Sequence, residues 1–303
     1  MAALPASEDM VMPTIRREPD YKEIAAALRA GQVVPFFGAG ASIGCGLPSG
    51  TELAQIIFSR GEFSEGEFPD EDERRNLALV ASYMVQVKNS TLKLNRLLRE
   101  IFCKDTKPSA LHECLASVDA LRLIVTTNYD DLIERALARR RPWVVVDRGT
   151  PGNVWLRPAG GVWTEIEGGK LRTKIGDVKQ PIVFKMHGSV DYDDNDHDAF
   201  TITEEDYVDF LGRREIKQFP DMLTAFMARR AFLFLGYGLK DWNVRVLMRK
   251  LTRMRPQSFN IPSWAIVRTA SESERKLWRA HNVELYEVEL DEFAKGLQDQ
   301  LPL

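Results

Sequence analysis

Four times along this chain an apolar run ends abruptly in a short polar signature, and that repeated junction limits the folds open to it. Val33-Val34-Pro35-Phe36-Phe37 opens into Gly38-Ala39-Gly40-Ala41-Ser42. Later runs end in Thr126-Thr127-Asn128-Tyr129-Asp130, in Lys185-Met186-His187-Gly188 and in Gly236-Tyr237-Gly238-Leu239-Lys240-Asp241. Apolar runs that alternate with helix-like patterns read as strands of a parallel, doubly wound sheet. Ligand sites in such sheets collect beyond the carboxyl ends of the strands, so the four loops can converge on one crevice.

The spacing within the elements supports that layout. Asp20 with Glu23 starts a helix that Gly31 stops, and the strand 32–37 follows. Ser49 and Glu52 have capping-box spacing before Leu53, Ile56 and Ile57, which gives a strand–loop–helix unit around the glycine turn. Residues 61–72 are acidic and turn-rich, and the stretch to residue 117 holds helices without a convincing strand, so a helical cap is expected over about 61–117. Strand 121–126, helix 130–139 and strand 143–146 come next. A glycine-rich insertion at about 149–180 carries Trp155 and Trp163 among alternating apolar residues, the pattern of a small hairpin. Strand 182–186, helices 204–213 and 220–230, strand 231–235, helix 241–254, strand 263–267, helix 272–281, strand 284–288 and a last helix complete the order. The expected fold is α/β: a doubly wound, Rossmann-like parallel sheet with a helical cap insertion, formed by residues 19–303 behind a flexible N-terminus, 1–18.

Composition narrows the partners. Forty-one basic and 44 acidic residues leave a net charge of −3, which exerts no general pull on nucleic acid. Cys45, Cys103 and Cys114 are odd in number and lack a C-x-x-C spacing, so neither a disulfide framework nor a zinc ribbon is expected, and a reducing cytoplasm fits. The first residues have neither the basic start nor the long apolar core of a signal peptide or membrane span.

The junctions carry chemistry by residue type. A glycine-rich turn after a strand brings backbone N–H groups against an anion, usually a nucleotide pyrophosphate. An ordinary dinucleotide fingerprint is disfavoured, because Ile43 occupies the site of the third glycine and Gly44 falls one position late. Asn128 can both donate and accept, and so can hold a water molecule and a hydroxyl in fixed relation. His187 offers an imidazole that titrates near working pH, followed by a glycine that allows close approach. Asp130 is placed either to orient these groups or to cap the next helix. His112, in the cap, reads as packing, and His281 as the basic end of a helix. The run from Asp191 to Asp198, which includes His197, begins like a calcium loop but has Asp196 where glycine is needed and Ile202 where glutamate is needed, so a solvated acidic loop is expected. Arg245, Arg249 and Arg253 form one stripe of a helix whose default role is a solvated face, with docking of an acidic partner subunit or of nucleic acid as the alternative.

Taken together, the GAG-x-S loop, the T-T-N-x-D loop, the HG pair and the later glycine loop resemble the sirtuin-like family, in particular its bacterial branch of NAD-consuming defence proteins. The resemblance spans Gly38 to about Asp241. It implies that Asn128 and His187 match the family's water- or ribose-positioning amide and its catalytic histidine, with Asp130 beside them. Gly38, Ala39, Gly40, Ser42 and Thr127 would contact NAD from one side, and Gly236, Tyr237, Gly238 and Asp241 from the second glycine loop, with capping of the next helix as the equal alternative for Asp241. Three departures matter. Deacylating members carry a four-cysteine zinc module, Gly-Thr-Ser in the second glycine loop and Asp-Phe-Arg after Gly-Ile-Pro, none of which this chain has.

What the resemblance implies is therefore NAD hydrolysis to nicotinamide and ADP-ribose, with NAD as substrate and no metal, in bacterial antiphage immunity. A sensor is expected as a separate subunit, such as a HerA-type ATPase or a short Argonaute, or through homo-oligomerisation, since the length leaves no room for a fused one. No direct nucleic-acid or membrane contact is expected. Two rivals stay open: a module that senses NAD or ADP-ribose without turnover, and a protein deacylase or ADP-ribosyltransferase.

Overall fold

Alternate residues of each apolar run face opposite sides of one sheet, and both sides are covered. In the computed structural model, which describes residues 18–64, 66–68, 70–147, 154–166, 178–193, 195–212, 221–238 and 261–301, strand β1 (Val33–Phe37) lies between β2 (Leu123–Thr126) and β9 (Ala231–Leu235). The full order is β11-β10-β9-β1-β2-β6-β3-β4-β5, where β3 is Trp143–Asp147, β4 Val154–Arg157, β5 Thr164–Ile166, β6 Ile182–Lys185, β10 Ser263–Val267 and β11 Val283–Glu287. On one face Val34, Phe36, Val125, Phe184 and Phe234 pack with Leu223 and Met227 of α10 (Asp221–Met227) and with Trp278. On the other, Val33, Phe37, Ile124, Val183 and Leu235 pack with Ile24 and Leu28 of α1 (Tyr21–Arg29), Leu111 and Leu115 of α7 (Ala110–Ala116), and Phe293 and Leu297. Two-sided burial explains why these strands read as unbroken apolar runs rather than as alternating ones.

The α/β, doubly wound expectation holds with one correction. The sheet is mixed: β11 to β3 are parallel, but β4 and β5 run antiparallel and extend the edge beyond β3. The few residues between Asp147 and Val154 are too short for a parallel crossover, which needs a dozen or more. The hairpin around Trp155 and Trp163 is therefore part of the main sheet.

A third apolar core lies outside the sheet layers. It unites Leu53 and Ile57 of α3 (Gly50–Arg60), Val80 and Met84 of α5 (Leu77–Gln86), and Leu94, Leu98 and Phe102 of α6 (Thr91–Phe102) with Tyr129 and Leu132. Within the stretch expected as cap, α7 instead packs under the sheet. The expected capping box is present: Ser49 Oγ accepts from Glu52 N–H and the Glu52 carboxylate from Ser49 N–H. The helix expected over 130–139 is shorter: α8 spans Leu132–Ala136, and a 3-10 turn covers Ala138–Arg140. No described helix is long and apolar enough to cross a membrane.

Two further expectations change. The loop around Asp191 is not simply solvated: the Asp191 carboxylate is buried and accepts from Trp163 Nε1 at 2.6 Å, with Arg157 at 3.4 Å, while the His197 ring packs against Trp155 and Trp163. The arginine stripe at 245, 249 and 253 lies outside the described residues, as does Asp241.

Candidate active site

The loops that leave β1, β2, β6 and β9 enclose a cleft of about 710 Å³, which extends past the ends of β10 and β11 to Arg268 and Glu289. It is lined by every residue the sequence singled out for the site except Gly38, which lies beneath, and Asp241, outside the described residues.

The two glycine loops interlock. Gly38 N–H donates to the Leu235 carbonyl and Gly40 N–H to the Gly236 carbonyl, both at 2.9 Å. A Cβ on Gly40 would stand 2.8 Å from Gly236 Cα, and one on Gly236, where φ is +74°, 2.2 Å from Ala41 N. The glycines are needed here so that two backbones can touch. This corrects the expected source of the turn's anion contacts, because the N–H groups of Gly38 and Gly40 are already committed to protein carbonyls. Gly188 differs from expectation in the same way: with φ +88°, its missing Cβ faces the Ala199 carbonyl, across the pairing of β7 (Gly188–Ser189) with β8 (Ala199–Phe200), and not open space for a substrate.

Around Asn128 the hydrogen bonds leave one arrangement. Its Nδ2 donates to the Gly38 carbonyl at 3.1 Å and to Ser42 Oγ at 3.0 Å. A carbonyl can only accept, so the NH₂ end must lie on that side and Oδ1 on the other. Ser42 Oγ donates in turn to Asp130 Oδ2 at 2.9 Å, and Asp130 Oδ1 accepts from Leu132 N–H at 3.1 Å. Asp130 thus holds Ser42 with one oxygen and the Leu132 N–H at the start of α8 with the other, while the cap position of that helix is Asp131. The backbone of Asn128 is held as well, through Thr126 Oγ1 at 2.9 Å. What remains is Asn128 Oδ1, buried and without a hydrogen-bond partner. A buried unsatisfied acceptor costs about 1–3 kcal/mol, which makes it a natural place for a ligand donor.

His187 leaves β6 beside this cluster. Its carbonyl accepts from Thr201 N–H at 2.9 Å, and Tyr207, on α9 (Glu204–Gly212), stands edge-on to its ring with 5.5 Å between centroids. Burial pushes its pKa down to about 4, so the imidazole is neutral at pH 7. His112 is packing, as expected: its ring stacks on Phe37 at 5.1 Å, its Nδ1 meets Ser109 Oγ, and burial, against an opposing pull from Asp130, lowers its pKa to about 4 as well.

Several lining residues were missed in the sequence. Arg268 and Glu289 pair at 3.6 Å just beyond β10 and β11; the strand-end rule that found the other loops would have pointed to them. Tyr207 gave no such signal, since it sits inside a helix. Among the described residues no group of three or more His, Cys, Asp and Glu side chains could hold a metal.

The chain is similar to several known proteins. Defense-associated sirtuin 2 of Bacillus subtilis is 22% identical over 243 residues, 80% of this chain and 21% of that protein. NAD(+) hydrolase ThsA of Enterococcus faecium is 27% identical over 229 residues, 75% of this chain and 41% of that protein. The chain therefore spans about a fifth of the first relative's length and about two-fifths of the second's. A solved Sir2 structure with a deacetylated p53 peptide and 3'-O-acetyl ADP-ribose overlays with a TM-score of 0.43 at 13% identity, covering 92% of this chain and 97% of that chain. The family model of the SIR2-like domain matches residues 122–286, more than half of the 303, and the chain belongs to that family.

Proposed function

We propose that the cleft binds NAD and hydrolyses it to nicotinamide and ADP-ribose. The observation that carries this reading is the locked amide of Asn128, whose Oδ1 is left as a buried acceptor without a hydrogen-bond partner, in a cleft that the neutral, buried His187 also lines. Breaking the bond between nicotinamide and ribose releases a neutral base from a pyridinium cation, so no acid is required. The ribose carbon becomes oxocarbenium-like, water adds to it, and one proton must be removed. Asn128 Oδ1 orients the water or a ribose hydroxyl, His187 accepts the proton, and the Asp130 carboxylate, behind Ser42, supplies a field that favours the spread positive charge. The names of the relatives support the same chemistry and a role in defence.

Ser42, Thr127 and Tyr237, with Ala39, Gly40, Gly236 and Gly238, would line the path of the dinucleotide. Uncontrolled NAD hydrolysis would harm the host, so activity is taken to be held in check in the cytoplasm by a second copy of the chain or by a sensor subunit. The test is direct: the purified protein is incubated with NAD, alone and in its assembled state, and nicotinamide and ADP-ribose are quantified. Release of both in equal amounts is the expected result. Tight binding without release would make the cleft a sensor, and no binding would remove NAD altogether.

A further inference from the structure

Directly behind the candidate site, a charged side chain lies where none is expected. Lys185, the last residue of β6 and two before His187, is fully buried. Its Nζ pairs with Glu134 Oε1 of α8 at 3.1 Å and donates to the backbone carbonyl of Asp130. Glu134 is itself largely buried, and its second oxygen, Oε2, has no hydrogen-bond partner. Taking two charges out of water costs several kcal/mol per ion, and well-packed apolar side chains commonly serve stability as well or better. Fold stability alone therefore does not account for a lysine at this position.

Its placement gives a specific reason. Strands β2 and β6 are parallel neighbours in which Thr126 pairs with Lys185, and their exits carry Asn128 and His187 respectively. The exit of β2 is held to the segment that follows β6 by backbone bonds from Met186 N–H to the Thr126 carbonyl and from Val190 N–H to the Tyr129 carbonyl. Lys185 adds a third hold, on the Asp130 carbonyl. Asp130 is the residue whose carboxylate orients Ser42, and through it the Asn128 amide.

We propose that Lys185 and Glu134 form a buried strut that fixes the Asn128 and Asp130 loop relative to His187, making Lys185 a positioning residue for the NAD-cleaving site proposed above. Without the ammonium, the Asp130 carbonyl loses its donor. The chain Asp130–Ser42–Asn128 is then held less closely against β6, while the two glycine loops, tied to each other and not to Lys185, stay in place.

The experiment compares Lys185→Met, which strands a buried carboxylate, with Lys185→Met/Glu134→Leu, which replaces the pair by apolar groups of similar size. The double variant is expected to unfold cooperatively at a temperature close to that of the parent. It should lose about 10- to 100-fold in kcat with KM within about twofold, the pattern of misplaced groups rather than lost binding. Exchange of the amide hydrogens of residues 127–131 should be faster in it than in the parent. A folded double variant with parental kcat and parental exchange overturns the proposal. So does a double variant that cannot fold, because the pair is then a determinant of the fold. If the parent itself leaves NAD intact, the assignment of the reaction falls instead, and the exchange measurement still decides whether the strut holds the loop.

Discussion

The two ends of the cleft are built on opposite principles. At the inner end, beyond β2 and β6, the side chains of Ser42, Asn128, Asp130, Lys185 and His187 are all buried, and Ser42, Asp130, Lys185 and the NH₂ end of Asn128 are matched to fixed partners. At the outer end, beyond β10 and β11, Arg268 and Glu289 form a loose pair at 3.6 Å, with both side chains about two-thirds exposed. Buried groups are costly to rearrange and act at short range in a weakly screened medium, whereas exposed ion pairs contribute little and are screened by salt. The inner end is suited to stabilising a transition state, the outer end to drawing in and releasing one arm of a long substrate.

The largest effects should therefore follow changes at the inner end. His187→Ala and Asn128→Ala are each expected to lower NAD cleavage by at least ~100-fold, the low range for losing a positioned base or an organising amide. Circular dichroism should show the fold intact, because both side chains sit on loops at the rim of the sheet. If either folded variant keeps near-parental turnover, that residue does not have the role given to it and the contrast between the ends weakens.

Between the ends lies the interlocked pair of glycine loops, and there the expected loss is in folding. Gly236→Ala would press a Cβ to 2.2 Å from Ala41 N at a positive φ, and Gly40→Val would drive into the Gly236 backbone. Each should lower the unfolding temperature, by an amount corresponding to ~1–3 kcal/mol, together with NAD affinity. Gly44→Ala, with nothing within 4 Å of the added carbon, is the control expected to leave both unchanged. A Gly40→Val protein of parental stability that has lost only NAD affinity would restore direct phosphate contact as the reason for the glycine.

The titration of His187 separates the ends at smaller scale. With its pKa pushed down to about 4 by burial, the imidazole is almost wholly neutral at pH 5.5, where an exposed histidine of ordinary pKa would be about nine-tenths protonated. The rate at pH 5.5 should thus stay near that at pH 7. Stability should behave differently. His187 and His112, both lowered by burial, take up protons in the unfolded chain below about 6.5 but in the folded chain only near 4, so the folded state loses stability as pH falls across that window. Denaturant titrations at pH 7.5 and 5 check the second point, initial rates the first. A rate that halves near pH 6.5 would place His187 in water rather than in the protein.

Much of the inner end was legible in the sequence because strand-end loops announce themselves through a change from apolar to polar residues, as at Phe37–Gly38 and Lys185–His187. The parallel order was legible from the same runs. The purposes of Gly40 and Gly188 were not, since a missing Cβ can make room for a ligand or for another backbone, and only tertiary contact tells which. Lys185 and Glu134 were hidden for a related reason: each looks like an ordinary surface charge until sheet and helix are packed. The acidic run at Asp191 misled by composition, because its partners Arg157 and Trp163 are distant in sequence and arrive with the edge hairpin.

The smallest effect is expected at the outer end, and its smallness is informative. Arg268→Ala removes the cation that faces Glu289 and that adds a minor pull on Glu52, whose carboxyl is lowered chiefly by hydrogen bonds from Ser49. Nothing that Arg268 holds is buried with it, so the fold should not notice the change. The KM for NAD should move no more than about threefold while kcat stays constant, and about 0.5 M salt should erase the difference between variant and parent, because the interaction removed acts through water. Rates measured across a salt series check this. Should Arg268→Ala instead lower kcat as far as Asn128→Ala does, in high salt as well as low, the outer end would share in the transition state, and the cleft would have to be treated as one preorganised site from β6 to β11.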